Sequence, residues 1–133
     1  DGLDGLTSIK NFDTSLAEGV MFLTPFAADS KDQATQDFVK AYKAAYNDET
    51  PNQFAADAYD GVKILAKLIE SQKITGDMSA SDICEKLKAG ITAADFSYDG
   101  LTGTGMKWNA NGEVSKPPKA VVIKDGNYAA LDN

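Results

Sequence analysis

Apolar positions recur along this chain in two rhythms, and each rhythm predicts a different element. Near the start, GVMFLT (Gly19–Thr24) is a short continuous apolar run closed by Pro25. Its length and its Val, Met and Phe content predict a buried strand. Beyond a polar loop, Phe38, Val39, Tyr42 and Tyr46 return at helical spacing, with Ser30 and Gln33 as the expected capping box and Asn47–Asp48 as the stop. A second helix is expected at once: Thr50, Pro51 and Gln53 read as N-cap, first helical position and capping partner. Its stripe of Phe54, Ala58, Val62, Leu65 and Ile69 runs to about residue 71 and is expected to meet a core. Ser79 and Asp82 open a third helix, Ile83 and Leu87 share one face of it, and Gly90 stands where a helix-ending glycine belongs.

After Gly90 the pattern loses its helical period. FSYDGLTGTGMKWNANGEV is rich in glycine and poor in helix formers, which predicts a loop, a short strand around Gly105–Trp108 and a turn at Asn109–Gly112. Ala120–Lys124 and Asn127–Leu131 then read as strands about a two-residue Asp125-Gly126 turn, the strongest short-range hairpin signal there is. Strand, helix, helix, helix, strand and hairpin make an α/β chain.

Composition narrows this picture by exclusion. The 133 residues suffice for one core, and 43% hydrophobic with 25% charged residues is ordinary globular composition. The net charge of −7, with no basic cluster, argues against nucleic acid as a partner. One cysteine and no histidine rule out an intrachain disulfide, a Cys/His zinc site and a histidine general base. Cys84, inside a helical pattern, is expected as a small core residue.

Three stretches invite a chemical reading. Asp1 and Asp4, each followed by glycine, could hold a cation or an ammonium group; a solvated chain end is the plainer alternative. WNANGE (Trp108–Glu113) lacks the acidic spacing of a calcium loop and reads as a turn. GLTGTG (Gly100–Gly105) lacks the following helix and Lys-Ser/Thr of a phosphate loop. No catalytic constellation is present, and no enzyme, metal or cofactor is expected.

Four stretches in order carry a resemblance. EGVMFLTPF, the segment from DFVKAYKAAYNDE through AADAYDGVKILAKLIE, FSYDGLTGTGMKWNANGE, and VVIKDGNYAAL together resemble the later part of type I periplasmic-binding proteins. The nearest group is the branched-chain amino-acid receptors that serve ABC transporters. The resemblance implies three-layer α/β lobes with parallel sheets, of which this chain is a C-terminal portion, 1–133, ending in a β-hairpin. Residues 1–24 would be a second-lobe segment and hinge strand, 25–117 helices on the first lobe, and 118–133 a return to the second lobe.

By the same resemblance, DGLDG looks like the loop whose carboxylate faces the ligand cleft. Asp1 is then the first choice to hold a ligand's ammonium group and Asp4 the second, with Phe26 and Tyr59 as further ligand contacts. Thr24 and Pro25 would lie at one hinge, and Pro117 and Pro118 at another crossing. The implied function is extracytoplasmic capture of a small amine-bearing ligand, an amino acid of branched-chain type, for delivery to a membrane permease. The protein would be periplasmic or lipid-anchored at the outer face of the cytoplasmic membrane. Helix stripes and sheet edges would be left without partners in this chain, to be met by the missing part of its own fold or by a swapped copy. A ligand-sensing domain of a receptor or regulator is the alternative on the same fold. A free-standing small α/β interaction domain or an acid-base hydrolase is the alternative off it.

Overall fold

The computed structural model describes residues 5–131. Asp1 and Asp4 lie outside the described residues. The chain forms two compact units, Asp1–Ala56 with Pro117–Asn133, and Asp57–Lys116.

In the first unit, β1 (Met21–Thr24), β4 (Lys119–Lys124) and β5 (Asn127–Ala130) form an antiparallel sheet in the order β1-β4-β5. Phe22 stands opposite Val121, and Ile123 opposite Tyr128. Opposed residues of an antiparallel pair share a face, so Phe22, Thr24, Val121, Ile123 and Tyr128 lie on one side. That side holds the unit's core, with Val121 and Ile123 almost fully buried. On the other side Met21 and Leu23 are 67% and 59% exposed. The hairpin turn is the expected one: Asp125 and Gly126 both take positive φ, 51° and 73°, as a type I′ turn demands.

Helix α1 (Gln33–Ala45) belongs to this unit. Its cap is Asp32 and not Ser30: the Asp32 carboxylate accepts the Thr35 N–H at 2.9 Å, and Ser30 donates its hydroxyl to the same carboxylate at 2.6 Å. Gln33, the expected capping partner, instead donates to Asp37. Partial burial pushes the Asp32 carboxyl up, but hydrogen bonds from Ser30 and Thr35 and the nearby Lys119 charge outweigh it and hold it below its ordinary value. A depressed carboxyl contributes stability that is complete above its unfolded pKa of about 3.9 and is lost as pH falls through the lower folded value. Asp32→Ala is expected to cost about 1 kcal/mol at neutral pH in urea unfolding, and the difference from wild type should shrink only in strong acid. Asn47 and Asp48 close the helix with positive φ.

The second unit is built on α2, which runs from Gln53 to Ser71 with its first turn in the first unit, and α3 (Ala80–Ile91). The Ser79–Asp82 capping pair is present: Ser79 Oγ accepts the Asp82 N–H at 3.1 Å and donates its proton to the Asp82 carboxylate at 2.7 Å. Gly90 does not end α3, which continues to Ile91. It is needed because a Cβ there would come within 2.9–3.0 Å of Gln72 and Leu68. A short antiparallel pair, β2 (Lys107–Trp108) and β3 (Val114–Ser115), encloses the Asn109–Gly112 turn, so the expected strand has a partner that the sequence pattern does not show.

The face that α2 buries differs from the expected one. Ile64 and Leu68 are inside, whereas Phe54, Val62, Leu65 and Ile69 are 56, 67, 47 and 44% exposed. Cys84 is exposed on α3 rather than in the core, about a quarter-turn from the Ile83–Leu87 face.

Candidate functional site

Strand β1 ends at Thr24, and the Pro25–Phe26 turn beyond it is held by the Thr24 hydroxyl. Thr24 Oγ1 accepts the Phe26 N–H at 3.3 Å, and its own proton faces the Phe26 carbonyl at 3.0 Å and Gln53 Oε1 at 3.2 Å. Pro25 between them has no N–H to satisfy. This local turn swings Phe26 inward, where it is 4% exposed and stands edge-on to Phe38 with ring centroids 5.8 Å apart. Thr24 and Gln53 are equally buried, at 3% and 4%. Gln53 is thus a wall residue. Asn52 caps α2 instead, accepting the Ala55 N–H at 3.1 Å.

These side chains line a cavity of about 790 Å³ inside the first unit. Phe22 and Tyr128, packed edge to face at 5.5 Å, form an aromatic wall. Tyr128 also accepts the Thr7 N–H through its hydroxyl at 3.3 Å. Asp29 and Glu49 add two acidic groups and Lys43 one basic group to the lining. Asp29 is anchored by accepting the Ala130 N–H at 3.0 Å. Gly5, the first described residue, reaches the same cavity with φ +94°. Such a space, part aromatic and part polar, has the size and character of a small-molecule site. It can orient a ligand by hydrogen bonds and enclose an apolar side chain.

Of the residues singled out from sequence, Thr24 and Phe26 come together here. Tyr59 belongs to the other unit, 42% exposed on α2, with the Lys63 ammonium 5.4 Å from its ring. Pro117 and Pro118 are exposed.

Sequence reasoning missed a second constellation, in the Asp57–Lys116 unit. Asp60 is 3% exposed yet ionisable. Its carboxylate accepts the Leu101 N–H at 3.0 Å, the Thr102 N–H at 2.9 Å and the Thr102 hydroxyl at 2.8 Å. Close packing explains the first two glycines of GLTGTG. A Cβ at Gly100 would lie 2.5–2.7 Å from the Asp60 carboxylate, and one at Gly103 would meet Met106 and Lys116 at 2.9–3.0 Å. The loop turns its N–H groups onto a carboxylate of its own chain, the opposite of a phosphate cradle. The signal that could have found Asp60 was an acidic residue inside a helical apolar stretch, AYDGVKIL, paired with a glycine loop in need of an acceptor. Burial, helped by the charges of Asp60 and Tyr59, pushes the nearby Tyr98 phenol above its ordinary value.

Comparison with known proteins sets this geometry in context. No curated protein matches the chain. Among solved structures it is similar to the branched-chain amino acid transporter substrate-binding protein LivJ of Streptococcus pneumoniae, solved with isoleucine: 25% identity, TM-score 0.75, over 98% of this chain and 34% of that one. A Desulfitobacterium hafniense substrate-binding protein solved with leucine is 25% identical at TM-score 0.69, over 88% of this chain and 32% of that one. An R. palustris solute-binding protein solved with benzoate is 21% identical at TM-score 0.73, over 96% and 32%. These neighbours share the type I periplasmic-binding fold, and the chain spans about a third of their length. The family model described as periplasmic binding protein matches residues 5–127, taking in β1, all three helices, the glycine loop and β4 without a break. Agreement over that whole course, in one order, means that the chain belongs to the periplasmic binding protein family.

Proposed function

We propose that this chain is the later third of the extracytoplasmic solute-binding component of an ABC transporter, and that the ligand is an amino acid of branched-chain type held between two lobes. The observation that carries this reading is the family match over residues 5–127, joined to likeness over 98% of the chain with an isoleucine-bound relative. In this reading the cavity beside Thr24 and Phe26 is part of the ligand site. Asp1, or failing it Asp4, is the residue that holds the ammonium group, since a desolvated amine needs a charged acceptor. Tyr59 is the remaining ligand contact. Thr24 with Pro25, and Pro117 with Pro118, are the points that bend on closure; the second pair adjoins the boundary of a compact unit. The protein acts outside the cytoplasmic membrane and hands its ligand to a permease, without catalysis.

The exposed faces fit the same proposal. Met21 and Leu23 on the sheet, and Val62, Leu65 and Ile69 on α2, are seats for the remaining two thirds of the fold, the occupant that relatives three times as long provide.

One observation favours a second ligand class: a relative of the same fold was solved with benzoate. A thermal-shift panel on the full-length protein with leucine, isoleucine, valine and benzoate separates the two. A ligand at a hundred times its Kd stabilises the folded state by about 2.7 kcal/mol. The expected result is a clear rise in Tm with an aliphatic amino acid, lost in Asp1→Ala. A rise with benzoate alone, indifferent to Asp1→Ala, would move the reading to aromatic acids. No rise with any of them would overturn it.

A further inference from the structure

The second unit has its two ends tied together. Asp57 and Lys116 are its first and last residues. The Lys116 ammonium lies 3.0 Å from Asp57 Oδ1 and 3.3 Å from the Thr102 hydroxyl oxygen. Thr102 is 2% exposed and donates its own hydroxyl proton in a hydrogen bond to Asp60. Asp57 and Asp60 are one turn apart on α2 and share a face, so both acids converge on one loop. Lys116 packs against that loop beside Met106: a Cβ at Gly103 would lie 2.9 Å from Met106 and 3.0 Å from the Lys116 Cβ. The chain after Lys116 reads Pro117-Pro118. Neither residue has an N–H to extend β3, and a proline restricts the backbone of the residue before it. Lys116 is therefore the last residue that the unit holds by a side-chain network before the chain departs.

We propose that Lys116 is a hinge-anchoring residue: gripped by Asp57 and the Thr102–Asp60 pair, it fixes the point from which Pro117-Pro118 bends. The inference rests on the receptor reading for the bending itself, but the anchor is a property of the Asp57–Lys116 unit. A hinge confines its φ/ψ change to a few residues, and that requires a firm base on at least one side. A surface ion pair alone would be a weak base. The difference here is that the ammonium also bonds to a buried hydroxyl which the Asp60 carboxylate has already oriented.

The test is amide hydrogen exchange on Lys116→Met, which keeps the apolar stem and removes the charge, with Lys116→Arg and Asp57→Asn alongside. In Lys116→Met the amides of the β2–β3 ladder next to the departure point should exchange roughly 5–10-fold faster, while those of Ile64 and Leu68 in α2 stay unchanged. Asp57→Asn should give a smaller change of the same pattern, and Lys116→Arg should recover most of the protection. Unchanged exchange in Lys116→Met would overturn the anchor. So would acceleration spread evenly through α2 and α3, which would mark Lys116 as an ordinary stabilising residue. Neither outcome depends on ligand, so the anchor and the receptor reading fail separately.

Discussion

Asp60→Ala is expected to destabilise the Asp57–Lys116 unit by about 3–5 kcal/mol, seen as a large drop in the urea midpoint. The size comes from the groups that the carboxylate leaves behind. Two buried N–H groups, of Leu101 and Thr102, and the Thr102 hydroxyl all point at it. A buried donor stranded without an acceptor costs about 1–3 kcal/mol, and more than one is stranded here. Water cannot easily replace the lost oxygens at a site that is 3% exposed. The readout is unit-specific, because the chain's one tryptophan, Trp108, lies in this unit against Phe96 at 5.9 Å. Asp60→Asn should lose less, about 1–3 kcal/mol, because its amide keeps one accepting oxygen but turns an NH₂ toward a donor. The same substitution removes a charge that raises the Tyr98 phenol, whose larger cause is burial. Its ionisation should therefore move back toward the ordinary value only in part. The sign for stability is fixed: a phenol raised in the folded state makes folding weaken as pH climbs past about 10, where the unfolded chain ionises first. An Asp60→Ala protein with an unchanged Trp108 transition would mean that the glycine loop is held by something other than this carboxylate.

The sequence made legible what is decided within a few residues. The Asp125-Gly126 turn, the Ser79–Asp82 capping pair and the Asn47–Asp48 stop depend only on neighbours along the chain, and all three stand as expected. Two other capping expectations each slipped by two residues, from Ser30 to Asp32 and from Thr50 to Asn52. In both places several capping side chains lie side by side; Ser30 spends its hydroxyl on the Asp32 carboxylate, and Gln53 turns to Thr24 across the unit, which the local pattern does not show. The β2–β3 pair was half visible, since Val114–Ser115 is too short to carry a period. At the site, Thr24 and Phe26 could be placed together because they are two residues apart. Asp60 and Thr102, 42 residues apart, could not. A buried carboxylate on a helix looks in sequence like any other polar position until its oxygens are seen to meet a loop.

Leu68→Ala and Leu65→Ala, the same deletion three residues apart on α2, should differ severalfold in cost. Leu68 is 1% exposed and faces Gly90 of α3, whose missing Cβ lets the two helices close on it. Emptying that position removes the transfer energy of a leucine side chain and leaves a cavity, together about 2–5 kcal/mol. Leu65 is 47% exposed, and its loss from this chain should stay within about 0.5 kcal/mol. The contrast bears on which side of α2 is the inner one. Its apolar residues fall on two faces, Ile64 and Leu68 on one and Val62, Leu65 and Ile69 on the other, so a periodic stripe can be drawn on either and the sequence alone does not choose. A helix apolar over so wide an arc, with two adjoining faces, is suited to meet more than one layer. Among the described residues only one of those faces is covered, and the cost of each leucine reflects that. In the full-length protein the two costs should converge, because Leu65 is then covered by the rest of the fold. If Leu65→Ala remained cost-free there, the seat proposed on this face of α2 would be empty; if it were already costly in the 133-residue chain, that face would be covered by something within the chain itself.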